Sequence, residues 1–137
     1  MTVSLPPINI LPHSYPFVML DKIVKLEQGL CIVCIKNVTI NEKYFTGHFK
    51  ENPSMPEILI IEAMAQASGL IIGNRKPTLA YLSGIKDAKF KIPVVPGDQL
   101  VIRSSIIQTL PPLYVFGVTA LVKEKVVSEA EIILNII

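Results

Sequence analysis

Only two histidines, His13 and His48, and two cysteines, Cys31 and Cys34, occur in 137 residues. No second Cys/His pair exists to complete a metal site around Cys31-x-x-Cys34, so the spacing does not indicate zinc. A redox pair is disfavoured on other grounds. Both cysteines fall in Leu30-Cys31-Ile32-Val33-Cys34-Ile35, which reads as a strand, and residues i and i+3 of a strand point to opposite faces. Two free, buried cysteines suggest a reducing, cytoplasmic setting. Charge of one sign is also scarce. The formal net charge of +2 is too weak for a nucleic-acid partner. Met1 to Ile10 contains no lysine or arginine, so the charge pattern of a signal peptide is missing. Glu57, Glu62 and Gln66 interrupt the most apolar window. No run of about 18 uninterrupted apolar residues remains to form a membrane span. Internal repeats and low-complexity tracts are absent as well.

What is present is apolar. Hydrophobic residues make up 50% of the chain, and the mean hydropathy is +0.50. Residues 1–137 are long enough for one domain, a sheet packed on a helix. A small monomer would hide that much apolar surface with difficulty, so the surplus points to a subunit interface or a ligand tunnel.

The punctuation of the chain predicts its order of elements. Pro6, Pro7, Pro12 and Pro16 mark an irregular lead-in. Ile23 to Leu26 and Leu30 to Val38 read as two strands around a turn at Gly29. Asn41 to Pro53 reads as loop. Ser54-Met55-Pro56-Glu57 has the spacing of a capping box. A helix is expected from about Met55 to Ile72, ending at Gly73-Asn74 and buried on all sides. Four strands follow: Leu79 to Ile92, Gln99 to Thr109, Leu113 to Lys123 and Val126 to Ile136. Strands, one helix, then strands on short turns predict an α+β fold, an antiparallel sheet wrapped around a single helix.

Two residues in this frame can do chemistry. His48 lies just before the helix and Glu62 lies inside it, 14 positions later (62 − 48 = 14). Glu62 stands between Ile58-Leu59-Ile60-Ile61 and Ala63-Met64-Ala65. A buried carboxylate there must be neutral, partnered, or kept for a function. An imidazole facing a buried carboxyl group, within one subunit or between two, is a plausible acid/base pair. Gln66, one turn beyond Glu62 on the same face, is placed to support it with a hydrogen bond. The residues alone leave open a capping histidine and a solvated or paired glutamate.

Several blocks then agree in order. They include Leu11-Pro12-His13, Lys36-Asn37-Val38-Thr39, Gly47-His48-Phe49, Asn52-Pro53-Ser54-Met55-Pro56, Glu62-Ala63-Met64-Ala65-Gln66 and Phe90-Lys91-Ile92-Pro93 running to Pro96-Gly97-Asp98. Together they resemble the 3-hydroxyacyl-[acyl-carrier-protein] dehydratases of type II fatty acid synthesis. The resemblance runs from about residue 11 to residue 132. It implies a hot-dog fold and a lyase that converts (3R)-hydroxyacyl thioesters to trans-2-enoyl thioesters. It implies homodimers that often assemble into hexamers, a substrate carried on acyl carrier protein, and no metal or organic cofactor. His48 carries over as the base for the α-proton and Glu62 as the acid for the β-hydroxyl, the two coming from different subunits. Glu57, Phe49, Gln66 and Tyr81 carry over as substrate-site residues, Tyr81 at a tunnel mouth or in the core. His13 reads as structural. Lys76, Lys86, Lys89 and Lys91 form either a solvated face or a docking patch for an acidic carrier protein.

The chain also departs from the family pattern. Glu57 replaces the glycine of Met-Pro-Gly, Lys50 replaces a proline after His48-Phe49, and Ser14 replaces an arginine. The Glu57 carboxylate either caps the helix by folding back to Ser54 or faces the thioester carbonyl. The spacing to Ser54 favours the cap. Two rival activities stay in view: a hot-dog thioesterase with Glu62 activating water, and a non-catalytic acyl-thioester binding protein.

Overall fold

Alternation of buried and exposed side chains along Lys22–Glu27 (β1) and Cys31–Asn37 (β2) makes these segments a hairpin with one wet face. Gly29, at φ 80°, supplies the left-handed residue that its turn requires. A computed structural model of the chain describes residues 18–46, 52–73 and 79–136. It continues with a short 3-10 turn at Lys43–Thr46, inside the segment expected to be loop. One α-helix follows, α1 at Glu57–Ile72, and then four strands: β3 Ala80–Phe90, β4 Gln99–Leu110, β5 Leu113–Val122 and β6 Lys125–Ile136. The six strands form one sheet in the order β1-β2-β4-β5-β6-β3, and every neighbouring pair is antiparallel. The helix lies on this sheet, and the architecture is the hot-dog fold.

The core sits between α1 and the centre of the sheet. Ala63, Met64, Ala67 and Ile71 from the helix pack with Leu100, Ile102, Phe116 and Ile132 from the strands, and all are fully buried. One polar tie crosses this layer. The Ser68 hydroxyl donates to the Met64 carbonyl at 2.8 Å and lies 2.7 Å from the Ser104 hydroxyl of β4.

The helix differs from its expectation in three ways. It starts at Glu57, and Pro56 occupies the N-cap without a side-chain cap hydrogen bond. Ser54 is therefore two residues too early, and the capping box does not form. Instead the Pro56 carbonyl accepts the N–H groups of Leu59 (3.0 Å) and Ile60 (3.3 Å). At the other end Gly73 is right-handed, with φ −70°. The last carbonyls are satisfied from the β1–β2 turn, where Gly29 N–H donates to Ile71 O at 2.8 Å and Gln28 Nε2 donates to the same oxygen at 2.7 Å. Finally, burial is not complete all round. Ile58 is 66% exposed, and Glu62, Ala65, Gly69 and Ile72 are half-buried. These five positions follow a 4-3-4-3 spacing, which is one face of a helix. The described residues leave that face open.

The helix packs mainly on β2, β4, β5 and β6 and barely touches β3. The inner face of β3 is left uncovered. Ten of the 11 residues of this strand are exposed, and it is an edge of the sheet.

Candidate active site

Glu62 is held rather than free. Gln66, one helical turn on, donates from Nε2 to Glu62 Oε2 at 2.8 Å. The amide of Gln66 is oriented in turn by the backbone. Met19 N–H donates to Gln66 Oε1 at 2.9 Å, and an N–H can only donate, so it selects the carbonyl end of the side chain. The segment leading into β1 thus fixes Gln66, and Gln66 fixes one oxygen of Glu62. Gln66 itself is buried, and its contact with Glu62 is the supporting bond expected from the spacing.

An apolar groove lies at the start of the same helix. It has a volume of about 520 Å³ and lies between the first turns of α1 (Glu57, Ile58, Ile61) and the inner face of β3 (Ile85, Phe90). A recess of about 70 Å³ adjoins it, shares Glu57 and Phe90, and is closed by Met55, Ile60 and Val94. Met55 N–H donates to Val94 O at 2.7 Å, which fastens the approach to the helix against the β3–β4 connection. Ile58 lines the groove and lies four residues before Glu62 on the same helix face; Glu62 itself lines neither space.

The other expected site residues are distributed as follows. His48 and Phe49 lie outside the described residues, as do His13 and Lys76. Glu57 is exposed at the groove rim. Tyr81 is 58% exposed at the start of β3 and lines neither the groove nor the recess. The lysines of the basic face are partly matched by acids. Lys89 and Lys91 approach Glu129 Oε1 at 3.9 and 3.5 Å, and Lys86 pairs with Glu131 in the β3–β6 register. Cys34 is fully buried and Cys31 only half-buried. The two therefore face opposite ways, and burial pushes the Cys34 thiol up to about 12.

One charged cluster escaped the sequence reading. Lys36 is buried in β2. Its Nζ lies 3.0 Å from Glu42 Oε2 and 3.8 Å from Asp21 Oδ2. Glu42 also accepts the Thr39 N–H at 3.3 Å, and Asp21 accepts the Asn37 N–H at 2.7 Å. The cluster clamps the chain between β2 and the 3-10 turn that precedes Gly47-His48-Phe49 in sequence. Its signal was parity: Ile32, Cys34 and Lys36 share the inward face of β2, and a lysine in that register needs a partner.

Comparisons with known proteins agree on one family. The family model described as a FabA-like domain matches residues 11–131. A protein of Paracidovorax citrulli named 3-hydroxyacyl-[acyl-carrier-protein] dehydratase FabZ is 46% identical over 133 residues, covering 91% of this chain and 90% of its own. A protein of the same name from Bartonella bacilliformis is 46% identical over 129 residues, covering 91% and 84%. Among solved structures, the dehydratase heterocomplex ApeI:P from Xenorhabdus doucetiae superposes with a TM-score of 0.81 over 97% of this chain and 91% of its own, at 17% identity. That last likeness concerns the fold alone.

Proposed function

The chain belongs to the FabA-like family, and on that premise we propose that it dehydrates (3R)-hydroxyacyl thioesters carried on acyl carrier protein to trans-2-enoyl thioesters, with His48 and Glu62 as its acid/base pair. The whole chain, 1–137, serves as the single domain for this reaction. His48 takes the α-proton, which the neighbouring thioester carbonyl acidifies. Glu62 gives a proton to the β-hydroxyl, and the C–O bond breaks to release water. Loss of one α-hydrogen and one hydroxyl leaves the double bond between the α and β carbons.

The observation that carries this reading is the support built around Glu62. A carboxyl group flanked by apolar residues on α1 is fixed by a glutamine that the backbone has already oriented, and it stands one helical turn from Ile58, which lines a groove of about 520 Å³. Gln66 is a positioning residue in this scheme. Glu57 and Phe90 border the acyl chain. Phe49 follows His48 directly and takes part in the same site.

Assembly belongs to the same reading. β3 is a long edge strand with Tyr81, Leu82, Ile85 and Phe90 exposed, which is a liability for a monomer. Two copies pairing antiparallel about the middle of β3 would continue the sheet and roof the groove. They would also bring the start of β3 in one copy, with Tyr81, toward the end of β3 in the other, with Phe90. A homodimer is therefore the working unit, with hexamers as a further assembly. Free Cys31 and Cys34 fit a cytoplasmic setting. No described helix is long and apolar enough to cross a membrane.

The test is a dehydration assay on 3-hydroxyacyl carrier-protein thioesters that follows enoyl formation and free thiol together. His48→Ala and Glu62→Gln are each expected to lower turnover by roughly 100- to 10,000-fold. The double variant should be little worse than the poorer single one. Near-normal enoyl formation by folded His48→Ala would sink the mechanism, and release of free thiol would point to a thioesterase.

A further inference from the structure

Glu57 differs in kind from its surroundings. It borders both the groove and the recess at this end of α1. Among the described residues lining the two spaces it is the only ionisable side chain. Its neighbours there are Ile58, Ile61, Ile85 and Phe90 on one side and Ile60 and Val94 on the other. The carboxylate has no structural task that would explain it. The N-cap is Pro56, and no side-chain cap bond forms. No cation among the described residues forms an ion pair with it. It lies five residues before Glu62, about 7.5 Å along the helix axis, at the rim of the same groove.

We propose that Glu57 is a charge filter for the acyl chain: it turns away 3-hydroxyacyl thioesters whose chain carries a carboxylate and admits neutral or cationic ones. The inference rests on the reading that the groove holds the acyl thioester. The physics is a like-charge interaction across a channel with apolar walls. Those walls already disfavour a charged chain of either sign by desolvation. Glu57 adds a term that depends on sign. For charges roughly 8 Å apart at effective dielectrics between about 20 and 80, that term amounts to roughly threefold to thirtyfold in relative binding.

Because the effect depends on sign, it separates from a merely structural one. Three short 3-hydroxyacyl thioesters of equal length are compared, ending in a carboxylate, in its methyl ester and in a trimethylammonium group. The wild-type protein, Glu57→Gln and Glu57→Lys are each assayed for kcat/KM after a thermal melt confirms folding. The carboxylate-to-ester ratio is expected to rise roughly threefold to thirtyfold in Glu57→Gln and further in Glu57→Lys. The ammonium-to-ester ratio should fall in the same order, and both changes should shrink in high salt. Ratios within twofold across the three proteins would overturn the proposal. Unreactive thioether analogues of the three chains give the same ratios as Kd. If the wild-type protein turns over none of the thioesters, the dehydratase reading fails, while the Kd ratios still decide for or against the filter.

Discussion

A carboxyl group within a helix as apolar as Glu57–Ile72 would cost several kcal/mol if buried without partners. Glu62 avoids that cost by half-burial and by the bond from Gln66. This much was legible in the sequence, because a glutamate and a glutamine four residues apart must share a helix face. The Met19 N–H that orients Gln66 was not legible, since no local pattern connects residues 47 positions apart. Glu57 was read wrongly as part of a cap. The S-x-x-E spacing was right, but Pro56 moved the helix start beyond Ser54. The cysteines were read correctly as separated, and they support a prediction. The Cys34 thiol rises from 9.0 to about 12 on burial, so the folded state favours the protonated form. The stability this contributes is complete below pH 9, where the unfolded thiol is also protonated. It is lost as pH climbs from 9 toward 12, because the unfolded chain ionises there and the folded chain does not. Alkylation at pH 8.5 should therefore modify Cys31 and spare Cys34 until denaturant is added. Equal labelling of both in the folded protein would contradict the burial argument.

At the scale of elements, strand runs and turn residues were the most readable features, because period and turn chemistry are local. The four C-terminal strands fall within one or two residues of their expected limits. What could not be read was which face of α1 would stay open. The polar residues of α1 do not mark one face, since Glu62 lies on the open stripe while Gln66 and Ser68 are buried, and only the placement of β3 at the far edge decides it. The hairpin between β5 and β6 shows a local compromise. Val122 pairs with Lys125, so the loop has two residues, Lys123 and Glu124. Both sit at positive φ, 50° and 64°. That is the geometry of a type I′ turn, which favours asparagine followed by glycine. The double substitution Lys123→Asn and Glu124→Gly should stabilise the fold by roughly 0.5–1 kcal/mol, since at left-handed backbone a Cβ crowds the following carbonyl oxygen, a cost that glycine lacks and asparagine tolerates. Thermal unfolding reads this directly, and an unchanged or lower Tm would show that the turn is not under strain.

At the scale of the whole molecule, three open surfaces coincide: the 58-62-65-69-72 stripe of α1, the inner face of β3, and the edge of the sheet. Each alone would be an ordinary exposed patch. Together they expose Ile58, Leu82, Ile85 and Phe90 on one side of a protein whose apolar content a small monomer would hide with difficulty. In the dimer proposed above, a two-fold axis through β3 would cover all three at once and roof the groove. Ile85 lies near the middle of that strand, so Ile85→Lys would place two like charges close together across the axis and desolvate both. The expected outcome is a folded monomer, seen by sedimentation, with dehydration strongly reduced because the groove has lost its roof. Assembly and chemistry are separated by a second arm. If His48 and Glu62 meet across the interface, co-expressed His48→Ala and Glu62→Gln subunits should regain activity, since each mixed dimer holds one intact pair. With random pairing, about half of the dimers are mixed and half of their sites are intact, so recovery should approach a quarter of the wild-type rate. No recovery in confirmed mixed dimers would place both residues in one subunit. An Ile85→Lys protein that remains dimeric would move the interface away from β3.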